Sequence, residues 1–179
     1  MEGEAKKRCS ICQLHQWLSS LPHSSCCQFH QKHPKFDIQD HYDLEEFGMA
    51  IKNAAIVIGN DYEIELIKRR LNISKIPKNE QIWIITLGSR GSMINQGNVV
   101  LMIPPVIPKN NTDPTGAGDA YRAGFLAGMY RNKPLEVCGK MGSLSAVYTV
   151  ENYGTQTHNF SVKEFCERFE SSYSVELEK

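Results

Sequence analysis

Two short, unbroken apolar runs set among stretches of helical periodicity constrain this chain more than any other feature. They are AAIVIG at 54–59 and QIWIITLG at 81–88. A strand apolar along its whole length, without polar alternation, is covered on both faces. Before and between them, Leu44, Phe47 and Ile51 share one face of a helix over 43–53, with Asp43 as its N-cap, and Ile64, Leu66, Ile67 and Leu71 recur at helical spacing over 60–71. GSMINQGNVVLMI at 91–103 reads as a hairpin with Gln96, Gly97 and Asn98 in its turn. A helix over about 116–131 follows, with Ala117, Ala120, Tyr121, Gly124, Phe125 and Gly128 on one face. Another spans about 134–150, opened by Pro134, and a last one 161–171, capped by Ser161 with Glu164 three residues on. Strands alternating with helices predict a layered α/β domain with a mostly parallel sheet.

Residues 1–35 break this order. They hold Cys9, Cys12, Cys26 and Cys27 and four of the six histidines, with little periodicity, and are expected to be a poorly structured segment preceding a domain over 36–179. Cys9 and Cys12 followed by Cys27 and His30 have a spacing that a tetrahedral zinc site can use, although no supporting partners can be named for it. Cys138 and Cys166 fall within helical patterns and read as buried, reduced thiols. Lys plus Arg and Asp plus Glu number 20 each, so the net charge is zero. That balance argues against a general nucleic-acid or membrane-surface binder, both of which need a positive excess. No apolar run approaches the ~20 residues of a membrane helix, and no signal peptide is evident, so a cytoplasmic protein is expected.

The chemistry concentrates in Asn111-Thr112-Asp113-Pro114-Thr115-Gly116-Ala117-Gly118-Asp119-Ala120. Small residues at 116–118 let a ligand approach the backbone, and a helix starting there leaves N–H groups without intrahelical partners at its positive dipole end. Together these make a pocket for phosphate oxygens. A carboxylate at Asp119 can accept the proton of an attacking hydroxyl while the amides stabilise charge on a phosphoryl group in transfer. Taken alone, a Gly-Ala-Gly run opening a helix is a weak signal.

The whole string TDPTGAGDAYRAGF, however, resembles the C-terminal signature of PfkB/ribokinase-family kinases. The resemblance covers roughly residues 36–171 and implies a ribokinase-like three-layer sandwich, with Asp119 as the catalytic base and the amides of Gly116, Ala117 and Gly118 as the anion hole. Asn60 and Glu63 resemble the family's N-x-x-E motif, associated with Mg²⁺ and phosphate placement; the plainer reading is an Asn cap with a first-turn Glu. Thr86, Gly88 and Gly91 resemble the stretch under ATP, and Ser143 matches a helix position facing adenine. Asp113, Thr115, Asn152 and Gly154 match positions that often hold a monovalent cation such as K⁺. Arg122 either meets a phosphate or is a solvated helix arginine. The tail from Val150 to His158 looks most like the adenosine-kinase-like branch, which tilts the expected acceptor toward a nucleoside, with sugars open.

Members of that family run to nearly twice this length, and their first half supplies much of the sheet and the segment gripping the sugar. The resemblance therefore implies an N-terminally truncated kinase, from a shifted or shortened reading frame, that binds ATP weakly and turns over poorly. Other readings are a nucleotide-binding or interaction subunit without chemistry, a homo-oligomer, or a chain completed by a separate complementary half. A Rossmann dehydrogenase fits less well, because no acidic ribose-binding residue follows the glycine string.

Overall fold

The computed structural model describes residues 44–155 and 157–177. The Asp43 cap and the candidate zinc ligands Cys9, Cys12, Cys27 and His30 lie outside them, as does the whole 1–35 segment. The order is α1 (Leu44–Asn53), β1 (Ile56–Asn60), α2 (Asp61–Arg70), β2 (Ile82–Thr86), a short 3-10 turn (Gly88–Arg90), β3 (Ser92–Gln96), β4 (Val99–Ile103), α3 (Ala117–Tyr130), α4 (Leu135–Val150) and α5 (Val162–Tyr173). The four strands lie side by side in chain order.

β1 and β2 are parallel, with Ile56 opposite Ile82 and Asn60 opposite Thr86. β2–β3 and β3–β4 are antiparallel. The α/β class is as expected, but within the described strands only one pairing of three is parallel. The physical reason is connection length. The helix α2 allows a parallel crossover from β1 to β2, whereas the short turns after β2 and β3 allow only reversal.

Both faces of the sheet are covered at β1 and β2, whereas Val99, Val100 and Met102 of the edge strand β4 are exposed. Trp83 and Ile85 of β2 and Val57 of β1 pack with Ile51 of α1 and Ile64 of α2. On the other face Ile56, Ile82, Ile84, Ile94 and Ile103 meet Tyr121 and Phe125 of α3 and Cys138 of α4. A third cluster, with Met141, Leu144 and Val147 of α4 against Phe165 and Phe169 of α5, adds the last helix outside α4. Leu44, placed on the buried face by periodicity, is exposed in the first turn of α1. Cys138 is buried, but Cys166 is only half-buried.

Helices α3 and α4 pack unusually close. A Cβ on Gly124 would lie 2.3 Å from Ser145 Oγ and 2.6 Å from the Met141 carbonyl oxygen. Such close approach of two helices requires a residue without a side chain. Tyr121 locks α3 to the sheet through a buried 2.7 Å hydrogen bond between its hydroxyl and that of Ser92. Burial pushes the Tyr121 phenol up to about 12, with the Ser92 bond opposing the shift.

Candidate active site

The register assembles one end of the molecule. Asn60 and Thr86 are paired at the C-terminal ends of β1 and β2, and Ser92 is opposite Thr86 on β3. Because Ser92 bonds to Tyr121, near the start of α3, the N-terminus of that helix stands at the same end of the sheet. Ligands of open α/β sheets bind at the C-terminal ends of the parallel strands.

Gly116 precedes α3 with φ 84°, the left-handed region glycine tolerates, and no side chain caps the helix. A Cβ there would also come within 3.0 Å of Thr155. Of the three amides expected to bind an anion, that of Ala117 donates to the Pro114 carbonyl at 3.2 Å. The amides of Gly116 and Gly118, and that of Asp119 one residue on, have no partner among the described residues. Beside Gly118 the space is open: nothing lies within 4 Å of where its Cβ would be. The donor set therefore suits an anion with several oxygens, such as a phosphate. The Asp119 side chain is 74% exposed and its Oδ1 lies 2.7 Å from Arg122 Nη1. The carboxylate is thus outside the core, and the space beside Gly118 is open.

At the strand ends the polar groups are used locally. The Asn60 side chain accepts from the Glu63 amide at 2.8 Å, and the Glu63 carboxylate accepts from the Asn60 amide at 2.9 Å. This is a complete capping box at the start of α2, so the plainer reading of the motif describes this geometry. Asn60 Nδ2 and the second Glu63 oxygen are not part of it. Thr86 Oγ1 approaches the Gly59 carbonyl at 3.5 Å. Gly91, with φ 90°, closes the turn after β2, and its carbonyl accepts from the Leu87 amide at 2.8 Å. Gly88 has φ 59° and open space around it. Arg90 forms an exposed 3.1 Å ion pair with Asp61.

The 110s loop and the 150s loop meet beneath Gly116. Asp113 accepts from the amides of Thr115 at 2.9 Å and Gly154 at 3.1 Å. The Thr115 hydroxyl foremost, then these two amides, hold the Asp113 carboxyl below its ordinary range. Asn152 donates its side-chain amide to the Tyr148 carbonyl at 2.7 Å. Ser143 is only 7% exposed, and its hydroxyl interacts with that of Tyr173 at the end of α5. Among the described residues no group of three or more His, Cys, Asp or Glu is arranged for a metal. Mg²⁺ needs no such cage, since it commonly uses one or two carboxylates together with phosphate oxygens and water. Nor is any helix among them long and apolar enough to cross a membrane.

Two pairs central to this geometry escaped sequence reading. One is Ser92 with Tyr121. The other is Glu151 with Arg168, a two-pronged ion pair at 2.5 and 2.7 Å joining the end of α4 to α5. Neither leaves a periodic or motif signal, because its partners come from separate elements.

Comparison with known proteins follows the same lines. The sequence matches the pfkB family carbohydrate kinase description over residues 24–161. It is 33% identical over 138 residues to a nucleoside kinase of Methanothermobacter thermautotrophicus, covering 75% of this chain and 44% of that one. The structure superimposes on a Burkholderia thailandensis nucleoside kinase solved in complex with inosine, with TM-score 0.73 and 28% identity, over 76% of this chain and 46% of that one. It also matches the Methanocaldococcus jannaschii nucleoside kinase, an archaeal member of the ribokinase family, with TM-score 0.68 and 34% identity, over 73% and 44% respectively. The chain thus spans less than half the length of these relatives.

Proposed function

The chain belongs to the pfkB family of carbohydrate kinases and has a ribokinase-like α/β fold, and on that premise we propose that it carries the phosphate-binding and proton-accepting part of an ATP-dependent phosphotransferase acting on a nucleoside hydroxyl. The observation that carries this reading is the open N-terminus of α3, where the free amides of Gly118 and Asp119 adjoin an exposed carboxylate. In the proposed step the acceptor hydroxyl gives its proton to Asp119, its oxygen bonds to the γ-phosphorus of ATP, and the bond to the β-phosphate oxygen breaks to release ADP. The amides hold the phosphoryl oxygens as charge builds on them. Mg²⁺, when bound with ATP, supplies charge neutralisation on the phosphates. The Glu63 oxygen outside the capping box would bear on the metal and Asn60 Nδ2, a hydrogen-bond donor, on a phosphate oxygen, with Thr86, Gly88 and Gly91 under the nucleotide; Ser143 is too buried here to meet its base. Asp113, Thr115, Asn152 and Gly154 are the place for a monovalent cation such as K⁺.

A nucleoside rather than a sugar is favoured because the relatives named nucleoside kinases, one of them solved with inosine, align over about three quarters of this chain. The second reading is a nucleotide-binding chain without turnover, since an acceptor held out of place loses many powers of ten in rate. Phosphate transfer from ATP to inosine, adenosine and ribose, measured with purified wild-type chain and Asp119→Asn, separates them. ATP binding by both with transfer by the wild type alone is the result expected of the enzyme. Binding by both without transfer supports the second reading, and absence of ATP binding overturns both.

A further inference from the structure

Helix α4 ends at Val150, and the next residue, Glu151, gathers three parts of the chain. Its carboxylate accepts from the Lys109 amide at 2.6 Å and from both Arg168 Nη atoms, at 2.5 and 2.7 Å. The Glu151 and Arg168 side chains are 10% and 13% exposed, and the guanidinium lies 4.8 Å above the Tyr148 ring, which itself stacks on Phe160 at 4.3 Å. One residue earlier, the Val150 carbonyl accepts from the amides of Thr112 at 2.9 Å and Asp113 at 3.1 Å. Asp113 in turn holds the amides of Thr115 and Gly154. The segment from Lys109 to Thr115 is therefore stapled to the end of α4 at successive points, immediately before the turn at Gly116 that opens α3. The 150s loop that follows Glu151 also reaches Gly116, through Thr155.

We propose that Glu151 and Arg168 are positioning residues that fix where the Gly116–Asp119 amides point, by holding the 109–115 and 152–155 loops together behind them. The proposal rests on the reading of those amides as a phosphate site. A forked donor sets the plane of its carboxylate as well as its distance, which a single point charge does not do. The orientation of Glu151 then determines where the Lys109 amide sits and the course of the chain to Asp113. An ion pair elsewhere on α5 would support the fold without touching either loop.

The test uses the full chain with Arg168→Ala, Arg168→Lys and Glu151→Gln. ATP affinity is measured by calorimetry, and amide hydrogen exchange is followed at Thr115, Gly154 and Phe125. In Arg168→Ala, ATP affinity is expected to fall about tenfold, the scale of coupling through a packed network. Exchange at Thr115 and Gly154 should speed up by a similar factor while Phe125, in the middle of α3, stays protected. Arg168→Lys should recover part of both effects. If Arg168→Ala does not fold, Glu151→Gln, which keeps the shape and loses the charge, carries the same expectation. A folded variant with lower thermal stability but unchanged ATP affinity and unchanged exchange at Thr115 and Gly154 overturns the proposal, leaving the pair a stabilising contact only. Should the wild-type chain fail to bind ATP, the phosphate-site reading falls, and the exchange measurement alone decides whether the pair orders the two loops.

Discussion

The strand ends and the N-terminus of α3 each contribute a motif of polar and glycine residues, yet they use their hydrogen-bonding groups in opposite ways. At the strand ends, side chains satisfy backbone. Asn60 and Glu63 close a capping box on α2, and Thr86 leans on the Gly59 carbonyl. At α3 the side chains stand back, and the backbone itself is left with donors to offer. The lesson concerns what a motif can be inferred to do. A side chain has alternatives within the fold, and a helix start readily takes them. Amides at an uncapped helix start have few, and their availability points outward.

This contrast is broken or sharpened by measurement, beginning with the largest effect. Asp119→Asn should lower phosphoryl transfer by about 10²–10⁴-fold while leaving the melting temperature and ATP affinity nearly unchanged. A matching loss of ATP affinity would mean the carboxylate orders the helix start and is not simply accepting a proton. Next come two glycines of opposite kind. A Cβ on Gly91 would lie 2.1 Å from the Ile103 carbonyl oxygen at a φ of 90°, so Gly91→Ala should cost about 2–3 kcal/mol in denaturant unfolding. Gly118→Ala meets no neighbour and gains helix propensity, so stability should hold or rise by up to about 1 kcal/mol, with weaker ATP binding as its only cost. Equal destabilisation by the two would erase the distinction between a glycine needed by the fold and one needed by a ligand.

Asn60→Ala should cost about 1 kcal/mol of stability through loss of the cap, and Asn60→Ser should restore it. If Ser also restores transfer, the motif serves α2 alone; if transfer stays low with stability recovered, the Asn60 amide reaches the nucleotide. The smallest effect is that of pH on Asp113. Its folded carboxyl titrates below the ordinary 3.8, so the loop tie is fully present above that value and is lost as pH falls through the lowered one. Melting temperature in wild type should fall more steeply on acidification below 3.8 than in Asp113→Asn.

Much of this arrangement was legible in the chain before any coordinates. The period of 3.6 marked the buried positions Tyr121, Gly124, Phe125 and Gly128, and Ser161 with Glu164 forms the capping box its spacing promised. The hairpin was placed correctly, with Gln96 belonging to β3 rather than to the turn. The motif at Gly116–Asp119 announced an open helix start because its information is local: small residues, a helix boundary and one carboxylate within four positions. What remained hidden depends on distance in sequence. Nothing local joins Glu151 to Arg168 or Ser92 to Tyr121, and the contact of Ser143 with Tyr173 depends on where α5 lies. The reversal between β3 and β4 shows in the hairpin pattern, whereas that between β2 and β3 is masked because apolar runs report burial and carry no sign of strand direction.

The middle of β2 carries a consequence of its own. Ile82 and Ile84 point to one side and Trp83 and Ile85 to the other, so hydrophobicity alone would let the strand sit either way round. The two faces are filled differently. On the α4 side the helix presses so near β3 and β4 that a methyl on Gly139 would come within 2.8 Å of Ile94 and 2.7 Å of Ile103. The opposite chamber, bounded by Ile51, Ala54 and Ile64, encloses Trp83 completely. One tryptophan among isoleucines, fully enclosed on its side, thus sets the two faces of the strand apart, and Thr86 follows on the face of Ile82 and Ile84.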